Sequence, residues 1–550
     1  MKPAESYEAV RKQHRWRVPM RFNMGVAVCD RQRQRDVALI HPKADGSTNE
    51  YTFGDLKRLS NRLANVLLAH GLNVGDRVGI LLPQAPETAV AHIAIYKAGL
   101  VAMPLFVLFG ADALDYRLAD SGARALITDR ENAAKIVEIR DRLPDLELVL
   151  SIDGPCDDGA GGALDFHREL AGVSDKFDAV DTLAEQPGLL IYTSGTTGPP
   201  KGALHAHRIL IGHMPGVEMI FDFFPRPGDV AWTPADWAWI GGLYDVMMPA
   251  LYRGVPQVIN PPGKFDAEAA FDLIARFGIN VAFLPPTALK LMRQVANPRD
   301  RWNYSLRTVF SGGEALGTEL MGWGRETLGV TINEAYGQTE CNVIVGCCGG
   351  IMTPPHGSMG RASPGHDLAI LDENGARVPP GELGSICCKA PDPVMFLEYW
   401  KQPEATRDKF VTDAKGDKWL VTGDTAKQDE EGWIYFIGRD DDVITSSGYR
   451  IGPAEVEDCL FAHPAVALSA VIGVPDPART ERVKAFVILN DGFEPSDDLA
   501  REVQEHVKYR LAAHEYPRDV EFVSELPMTT TGKIKRKVLR EREVAKQAAQ

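Results

Sequence analysis

The sequence contains no apolar run approaching the roughly 18–20 residues that a membrane span requires. Its start, Met1 to Arg17, mixes Glu5 and Glu8 with several bases and has no apolar core, so neither a secretory signal nor a transit peptide is expected. Basic excess is missing too. The formal net charge is −15, which argues against a general nucleic-acid binder, although a few placed cations can still serve one anionic ligand. There is no C-x-x-C. The eight cysteines include two adjacent pairs, Cys347–Cys348 and Cys387–Cys388, and neighbouring cysteines make poor zinc geometry. Most are expected to be small buried hydrophobes in a cytoplasmic protein. Nor is there a Walker-type phosphate loop, because no Gly-Lys is followed by Ser or Thr.

What is present is a long chain of ordinary composition. Its 550 residues are 45% hydrophobic and 25% charged, enough for several globular units and a large core. Over the first two-thirds, helix-like and strand-like stretches alternate. Leu56, Leu59, Leu63, Val66 and Leu67 recur at helical spacing, and an apolar strand follows at Val78–Leu82. A helix is predicted over Glu87–Lys97 and a strand near Val101. Strands at Val255–Ile259 and Asn280–Leu284 flank and precede helices at Phe265–Phe277 and Thr287–Val295. This is α/β alternation with largely parallel sheets. Asp153 to Gly162, rich in Gly and Asp, reads as a surface loop. The run Arg439-Asp440-Asp441-Asp442 separates this body from a tail of about 110 residues, a normal size for one further domain. The tail has its own helix–strand–strand–helix pattern, with helices near Glu455–Phe461 and Asp498–Leu511 and strands near Ala467–Val471 and Lys484–Leu489.

The chemistry is concentrated in loops that follow apolar strands. Tyr192-Thr193-Ser194-Gly195-Thr196-Thr197-Gly198-Pro199-Pro200-Lys201-Gly202 comes after Gly188–Ile191. Small residues let the backbone approach a phosphate, hydroxyls and N–H groups donate to it, and Lys201 adds charge. A plain Gly-rich loop would also serve a turn, but eleven such residues in a row are far more specific. Ser311-Gly312-Gly313-Glu314-Ala315 ends the strand Leu306–Phe310, and by itself suits a turn as well as a flat ring. Glu334-Ala335-Tyr336-Gly337-Gln338-Thr339-Glu340 follows Val330–Asn333. These loops gather at strand carboxyl ends, where ligands bind in α/β sheets. Further on stand Thr422-Gly423-Asp424 and Gly438-Arg439, then Ser447-Gly448-Tyr449-Arg450, and finally Thr529-Thr530-Thr531-Gly532-Lys533.

In this order the motifs resemble the adenylate-forming superfamily of acyl-CoA synthetases, luciferases and peptide-synthetase adenylation domains, from about Tyr51 to Arg540 and most of all the medium-chain acyl-CoA synthetases. The resemblance implies a large N-terminal domain over residues 1–438 that binds ATP and the acid, a hinge at 439–441 centred on Asp441, and a small mobile α+β domain over 442–550. It implies a ligase that joins an acid to coenzyme A through an acyl-adenylate. Thr193 to Gly198 and Lys201 would hold phosphates, and Gly313, Glu314 and Ala315 the adenine. Glu334, Ala335, Tyr336, Gly337 and Gln338 would line the adenosine, with Thr339 on the α-phosphate and Glu340 on Mg²⁺. Asp424 would accept from the ribose hydroxyls and Arg439 would donate to them or to phosphate. Lys533 would bring the two anions together in the first half-reaction.

For the second half-reaction, the resemblance replaces Lys533 with the face carrying Ser447, Gly448, Tyr449 and Arg450. Gly448 would let the pantetheine arm pass, and Arg450 would reach the acid end. The coenzyme A nucleotide would lie near Arg479, Lys508, Tyr516, Pro517 and Arg518. The acid pocket is expected from Ala235-Asp236-Trp237-Ala238-Trp239-Ile240-Gly241-Gly242, with Trp239 as the gate, Trp237 narrowing the pocket, and Gly242 beside them. Acetate-specific relatives carry Trp at the position of Gly337, so its absence is expected to open a deeper pocket for a short-to-medium, branched or aromatic acid. Ile240 stands where amino-acid adenylation domains need a carboxylate, which argues against an amino-acid substrate. Loading of a carrier protein instead of coenzyme A stays open as the alternative. The Pro527…Gly532-Lys533 pattern is one that lysine acetyltransferases read in related enzymes.

Overall fold

The computed structural model describes residues 1–156, 162–193, 199–313, 316–439, 442–446, 449–476, 479–511, 515–529 and 533–548. Within them, two large mostly parallel sheets, one antiparallel sheet and one mixed sheet account for the strands beyond isolated bridges.

The first large sheet is built from the strands Arg77–Leu81, Val101–Pro104, Ala125–Thr128, Leu148–Ser151 and Pro187–Thr193, which run parallel. Lys201–Ala206 folds back antiparallel on Pro187–Thr193. The second contains the parallel strands Val37–Pro42, Gln257–Val258, Ala231–Trp232, Val281–Phe283, Thr308–Gly312 and Ile332–Tyr336. Strands buried on both faces read as continuous apolar runs, which is why Val78–Leu81 and Leu148–Leu150 show no alternation. Helices cover the faces. Phe53–Ala69 starts at a capping box in which Thr52 and Asp55 satisfy each other's backbone N–H groups, and it buries Leu56, Leu63, Val66 and Leu67. Pro86–Lys97 is mostly apolar and is buried along its whole length except at Glu87.

The sequence pattern left one unit unseen. Leu368–Leu371, Leu383–Lys389, Lys418–Gln428, Phe410–Thr412 and Ile434–Arg439 form an antiparallel sheet. It brings the Asp424 and Arg439 motifs into register on adjacent strands. Beyond it, Ile444–Ser446, Tyr449–Ile451, Thr480–Leu489, Val466–Asp476 and Asp519–Phe522 form the C-terminal sheet, with helices at Pro453–Phe461, Asp497–Arg510 and Arg536–Ala548. This is the expected α/β architecture: a large N-terminal part with mostly parallel sheets and a small α+β C-terminal part. Among the described residues, no helix is long and apolar enough to cross a membrane.

Candidate active site

Where the strands Thr308–Gly312 and Ile332–Tyr336 end, they border a cleft with the helix that follows Trp239. The cleft, its open mouth included, encloses about 490 Å³. Trp239, Gly313, Ala335, Tyr336, Gly337, Gln338, Thr339 and Lys533 all line it. The sequence-predicted adenosine loop and the expected catalytic lysine, almost 200 residues apart in sequence, therefore meet at one place.

Lys533 is tied to Thr529: its N–H donates to Thr529 Oγ1 at 3.0 Å, and the Thr529 N–H donates to its carbonyl at 2.7 Å. The neighbouring residues Met528 and Ile534 form an antiparallel bridge. The Lys533 ammonium lies 5.9 Å from the centre of the Trp239 ring. Gly313 lies between the two and has φ +93°, a backbone shape that calls for glycine.

The nucleotide end is organised by Asp424. Its Oδ2 accepts from the Tyr336 hydroxyl at 2.5 Å and from Gln338 Nε2 at 2.6 Å, while Gln338 Nε2 also reaches the Thr422 carbonyl at 2.8 Å. Both bonds fall on one oxygen and fix the plane of the carboxylate. Burial raises the Asp424 pKa, against the opposing pull of Tyr336, Arg439 and Gln338. Glu334 accepts from the Leu316 N–H at 3.2 Å, and burial pushes its carboxyl up to about 7.

At the other end, Glu340 is buried and takes a short hydrogen bond from the Tyr399 hydroxyl. The Lys201 ammonium lies 5.2 Å from the Tyr399 ring. Lys201, Tyr399 and Glu340 thus come together beside the end of the strand that carries Thr193. Tyr399 had no signal in the sequence, because its strand, Glu398–Tyr399, is recruited to the sheet by pairing with Lys201–Ala206.

Three expectations for the acid pocket need correcting. Trp237 is 1% exposed and packs in the main apolar core rather than lining the cleft, so it does not narrow it. Gly242 follows the lining residue Gly241 without lining the cleft itself, and a Cβ there would collide with the Asp236 carbonyl. Gly337 does line the cleft, but it opens no extra depth: a Cβ there would collide with the backbone N–H of Val343. The missing ring is replaced by chain, not by space. The aromatic walls are instead Trp239, Phe283 and Phe310. Phe283 and Phe310 are stacked at 4.3 Å and 7°, and Trp239 is tilted on Phe283 at 5.5 Å. Asp245 and Asn342 complete the lining. The two phenylalanines went unread because each is one apolar residue within a buried strand.

Several expected site residues lie outside the described residues: Ser194, Gly195, Thr196, Thr197, Gly198, Glu314, Ala315, Asp441, Ser447, Gly448 and Gly532. Tyr449 and Arg450 fall on the strand Tyr449–Ile451, whose backbone alone is described there. Lys508, Tyr516 and Arg518 do cluster. The Arg518 guanidinium sits 3.8 Å from the Tyr516 ring centre and the Lys508 ammonium 5.7 Å from it. Arg479 occupies the turn between Val466–Asp476 and Thr480–Leu489. Lys533 is the one residue of the C-terminal part, among the described residues, that lines the cleft. Seven of the eight cysteines are buried and Cys156 is half-buried, all with free thiols and none lining the cleft.

Comparison with known proteins shows the family. The profile of the family described as AMP-binding enzyme matches residues 27–400, and that of the AMP-binding enzyme C-terminal domain matches residues 455–533. The acetyl-coenzyme A synthetase of Bacillus subtilis (strain 168) is 37% identical, over 92% of this chain and 87% of its own. The mitochondrial acyl-coenzyme A synthetase ACSM3 of Mus musculus is 35% identical, over 98% and 93%. Among solved structures, the anthranilate CoA ligase AuaEII in complex with anthranoyl-AMP superposes with a TM-score of 0.87 at 31% identity, covering 96% of this chain and 99% of that one. A benzoate CoA ligase from Burkholderia xenovorans LB400 gives a TM-score of 0.83 at 27% identity, over 94% and 100%. The chain belongs to the AMP-binding, adenylate-forming enzymes, among the acyl-CoA synthetases.

Proposed function

We propose that this protein is an ATP-dependent acid–CoA ligase that makes acyl-CoA, AMP and diphosphate by way of an acyl-adenylate. The observation that carries the reading is Lys533 in the cleft, facing Trp239 across Gly313, with the Tyr336–Gln338–Asp424 cradle at the nucleotide end. In the first half-reaction an oxygen of the substrate carboxylate attacks the α-phosphorus of ATP, and diphosphate leaves. Lys533 offsets the repulsion between the two anions and meets the charge that builds at the α-phosphate. Thr339, at the lip of the cleft, donates to the same phosphate. Asp424 keeps one carboxyl oxygen for the ribose hydroxyls while the other is held by Tyr336 and Gln338. In the second half-reaction the coenzyme A thiolate attacks the acyl carbon and AMP leaves. No covalent bond to the enzyme is required, and the thiols stand clear of the cleft.

The donor set suits a magnesium ion. A single buried carboxylate, oriented by a phenol and close to a lysine of the phosphate loop, matches a hard cation that takes most of its ligands from phosphates and water. Glu340 would hold it, and the ion would neutralise phosphate charge.

The arrangement with Lys533 in the cleft fits the adenylating pose. We assign residues 1–438 to the ATP- and acid-binding domain, 439–441 to the hinge and 442–550 to the mobile domain. Rotation about Asp441 would withdraw Lys533 and present Gly448 and Arg450. Coenzyme A would reach the site past Lys508, Tyr516 and Arg518, whose ring and cations form one basic aromatic cluster. Acetylation of Lys533 by a lysine acetyltransferase would remove the charge that adenylation needs. The walls of Trp239, Phe283 and Phe310 favour an aromatic or branched acid, as do the two solved relatives named for aromatic acids.

The test is diphosphate release over a panel from acetate through butyrate, isobutyrate, hexanoate and octanoate to benzoate, with ATP and Mg²⁺, plus and minus coenzyme A. Steady release that depends on coenzyme A is expected for one group of acids. A single burst that coenzyme A does not extend would overturn the thiol-ligase assignment.

A further inference from the structure

The acid cleft is not uniformly apolar. Beside the stacked rings of Phe283 and Phe310 it is lined by Asp245 and Asn342, and Asn342 Nδ2 donates to Asp245 Oδ1 at 2.7 Å. Asp245 is 4% exposed and Asn342 is 7% exposed. Asp245 arises from a helical stretch that is otherwise buried and mostly apolar, Gly241-Gly242-Leu243-Tyr244-Asp245-Val246-Met247. Asn342 stands in the turn after Glu340, next to Val343, which holds a left-handed backbone with φ +49°. A β-branched residue in that conformation is strained, and strain of this kind persists where the surrounding structure enforces it. Here Val343 is wedged against Gly216 and Gly337, both of which leave no room for a side chain. The position of Asn342 opposite Asp245 is therefore imposed by packing from two sides.

A carboxyl in an apolar wall is costly unless something compensates it. Among the described residues, Asp245 makes no ion pair, and Asn342 is its one hydrogen-bonding side chain. Burial holds the Asp245 carboxyl well above the usual carboxylate range, which favours its neutral form. A neutral carboxylic acid is both donor and acceptor, and the Asn342 amide keeps its carbonyl oxygen as an acceptor. Two polar groups of this kind, set beside flat aromatic walls, match a planar acid with a small polar substituent better than a bare hydrocarbon.

We propose that the cleft selects a carboxylic acid bearing an uncharged hydrogen-bonding substituent, a hydroxyl or an amine on an aromatic ring, which is held between Asp245 and Asn342. This rests on the ligase reading above and names the substrate class of that same site. An acid lacking the substituent leaves Asp245 Oδ2 and the Asn342 carbonyl oxygen without a partner in the complex, and sites built to bond such a group discriminate strongly against the analogue without it.

The experiment compares kcat/KM for benzoate with that for each of its hydroxy and amino derivatives, by diphosphate release with coenzyme A present, and includes the aliphatic acids from butyrate to octanoate and one ammonium-bearing acid. At least one substituted benzoate is expected to exceed benzoate by about tenfold or more. The ratio between the two is then read in Asp245→Val and in Asn342→Ala, where it is expected to fall by about tenfold. Because each ratio is taken within one protein preparation, a loss of folded enzyme cancels. Benzoate or an aliphatic acid equalling every substituted analogue overturns the proposal and leaves the ligase reading standing. So does a preference for the ammonium-bearing acid, or a ratio unchanged in both variants. Absence of diphosphate release with every acid fails the ligase reading itself and this proposal with it.

Discussion

The Lys533 ammonium and the Trp239 ring face each other at 5.9 Å, across a glycine whose Cβ, if it had one, would lie 3.4 Å from the ring and 3.5 Å from the lysine Cε. The proposed gate of the acid cleft and the proposed catalytic cation are thus neighbours in this pose. Replacing Lys533 with Ala is expected to lower adenylation by at least about 100-fold, about 3 kcal/mol of transition-state stabilisation. Thioester formation from a supplied acyl-adenylate should change little. Both half-reactions can be measured separately, and an equal loss in the two would refute the assignment.

Tyr336 and Gln338 share one oxygen of Asp424. Tyr336→Phe removes the 2.5 Å bond and leaves the carboxylate held by Gln338 alone. The expected result is an ATP KM raised by about tenfold, in line with the loss of one hydrogen bond to an ionisable group. The kcat at saturating ATP should hold, and a large drop in kcat instead would place Tyr336 in the chemical step.

Tyr399 orients Glu340 through its hydroxyl. Tyr399→Phe is expected to raise the Mg²⁺ concentration for half-maximal diphosphate release by about tenfold, the usual cost of losing a group that orients a metal ligand. An unchanged Mg²⁺ dependence would remove Glu340 and Tyr399 from the metal assignment.

Gly337 decides folding more than specificity. In Gly337→Trp the first side-chain carbon already meets the Val343 backbone. The variant is expected to be destabilised by on the order of 1–3 kcal/mol and to gain no preference for acetate. Gly337→Ala should show a smaller loss of the same origin in thermal melts. A well-folded Gly337→Trp enzyme that prefers acetate would contradict the geometry.

His207 gives a pH signature. It is buried, its Nδ1 accepts from the Met24 N–H at 3.2 Å, and burial pushes its pKa down to about 4 from an ordinary 6.5. The folded state therefore binds this proton less readily than the unfolded chain. Its contribution to stability is complete above pH 6.5 and is lost as the pH falls toward 4. His207→Gln, whose amide can still accept from Met24, should show a smaller drop in Tm between pH 7 and pH 5 than the parent protein. Parallel curves would mean that His207 titrates alike in both states.

Much of this site was legible because its groups sit in contiguous loops. The run from Glu334 to Glu340 reveals itself through its small, polar and aromatic residues directly after an apolar strand, and the strand was found, although it runs on to Tyr336 rather than ending at Asn333. Lys533 was legible through its place in the order of motifs. By contrast, Tyr399, Phe283 and Phe310 carry no local mark. Trp237 misled because Trp239, two positions on, lines the cleft, yet residues in the turn before a helix point in different directions, and this one points into the core. The antiparallel sheet around Lys418–Gln428 was missed because short strands in that region do not alternate cleanly.

The amino-acid sequence by itself determined the α/β alternation and the small, polar and aromatic residues of the loops that follow apolar strands, since each depends on residue type and spacing along a short stretch. Only the tertiary structure decided the shape of the acid cleft. Gly337 is filled by chain rather than open, Trp239 packs on Phe283, and Asp245 meets Asn342 across 97 positions of sequence. A pocket wall is made of residues brought together by packing, and no local pattern records which face of a buried strand or helix will border empty space.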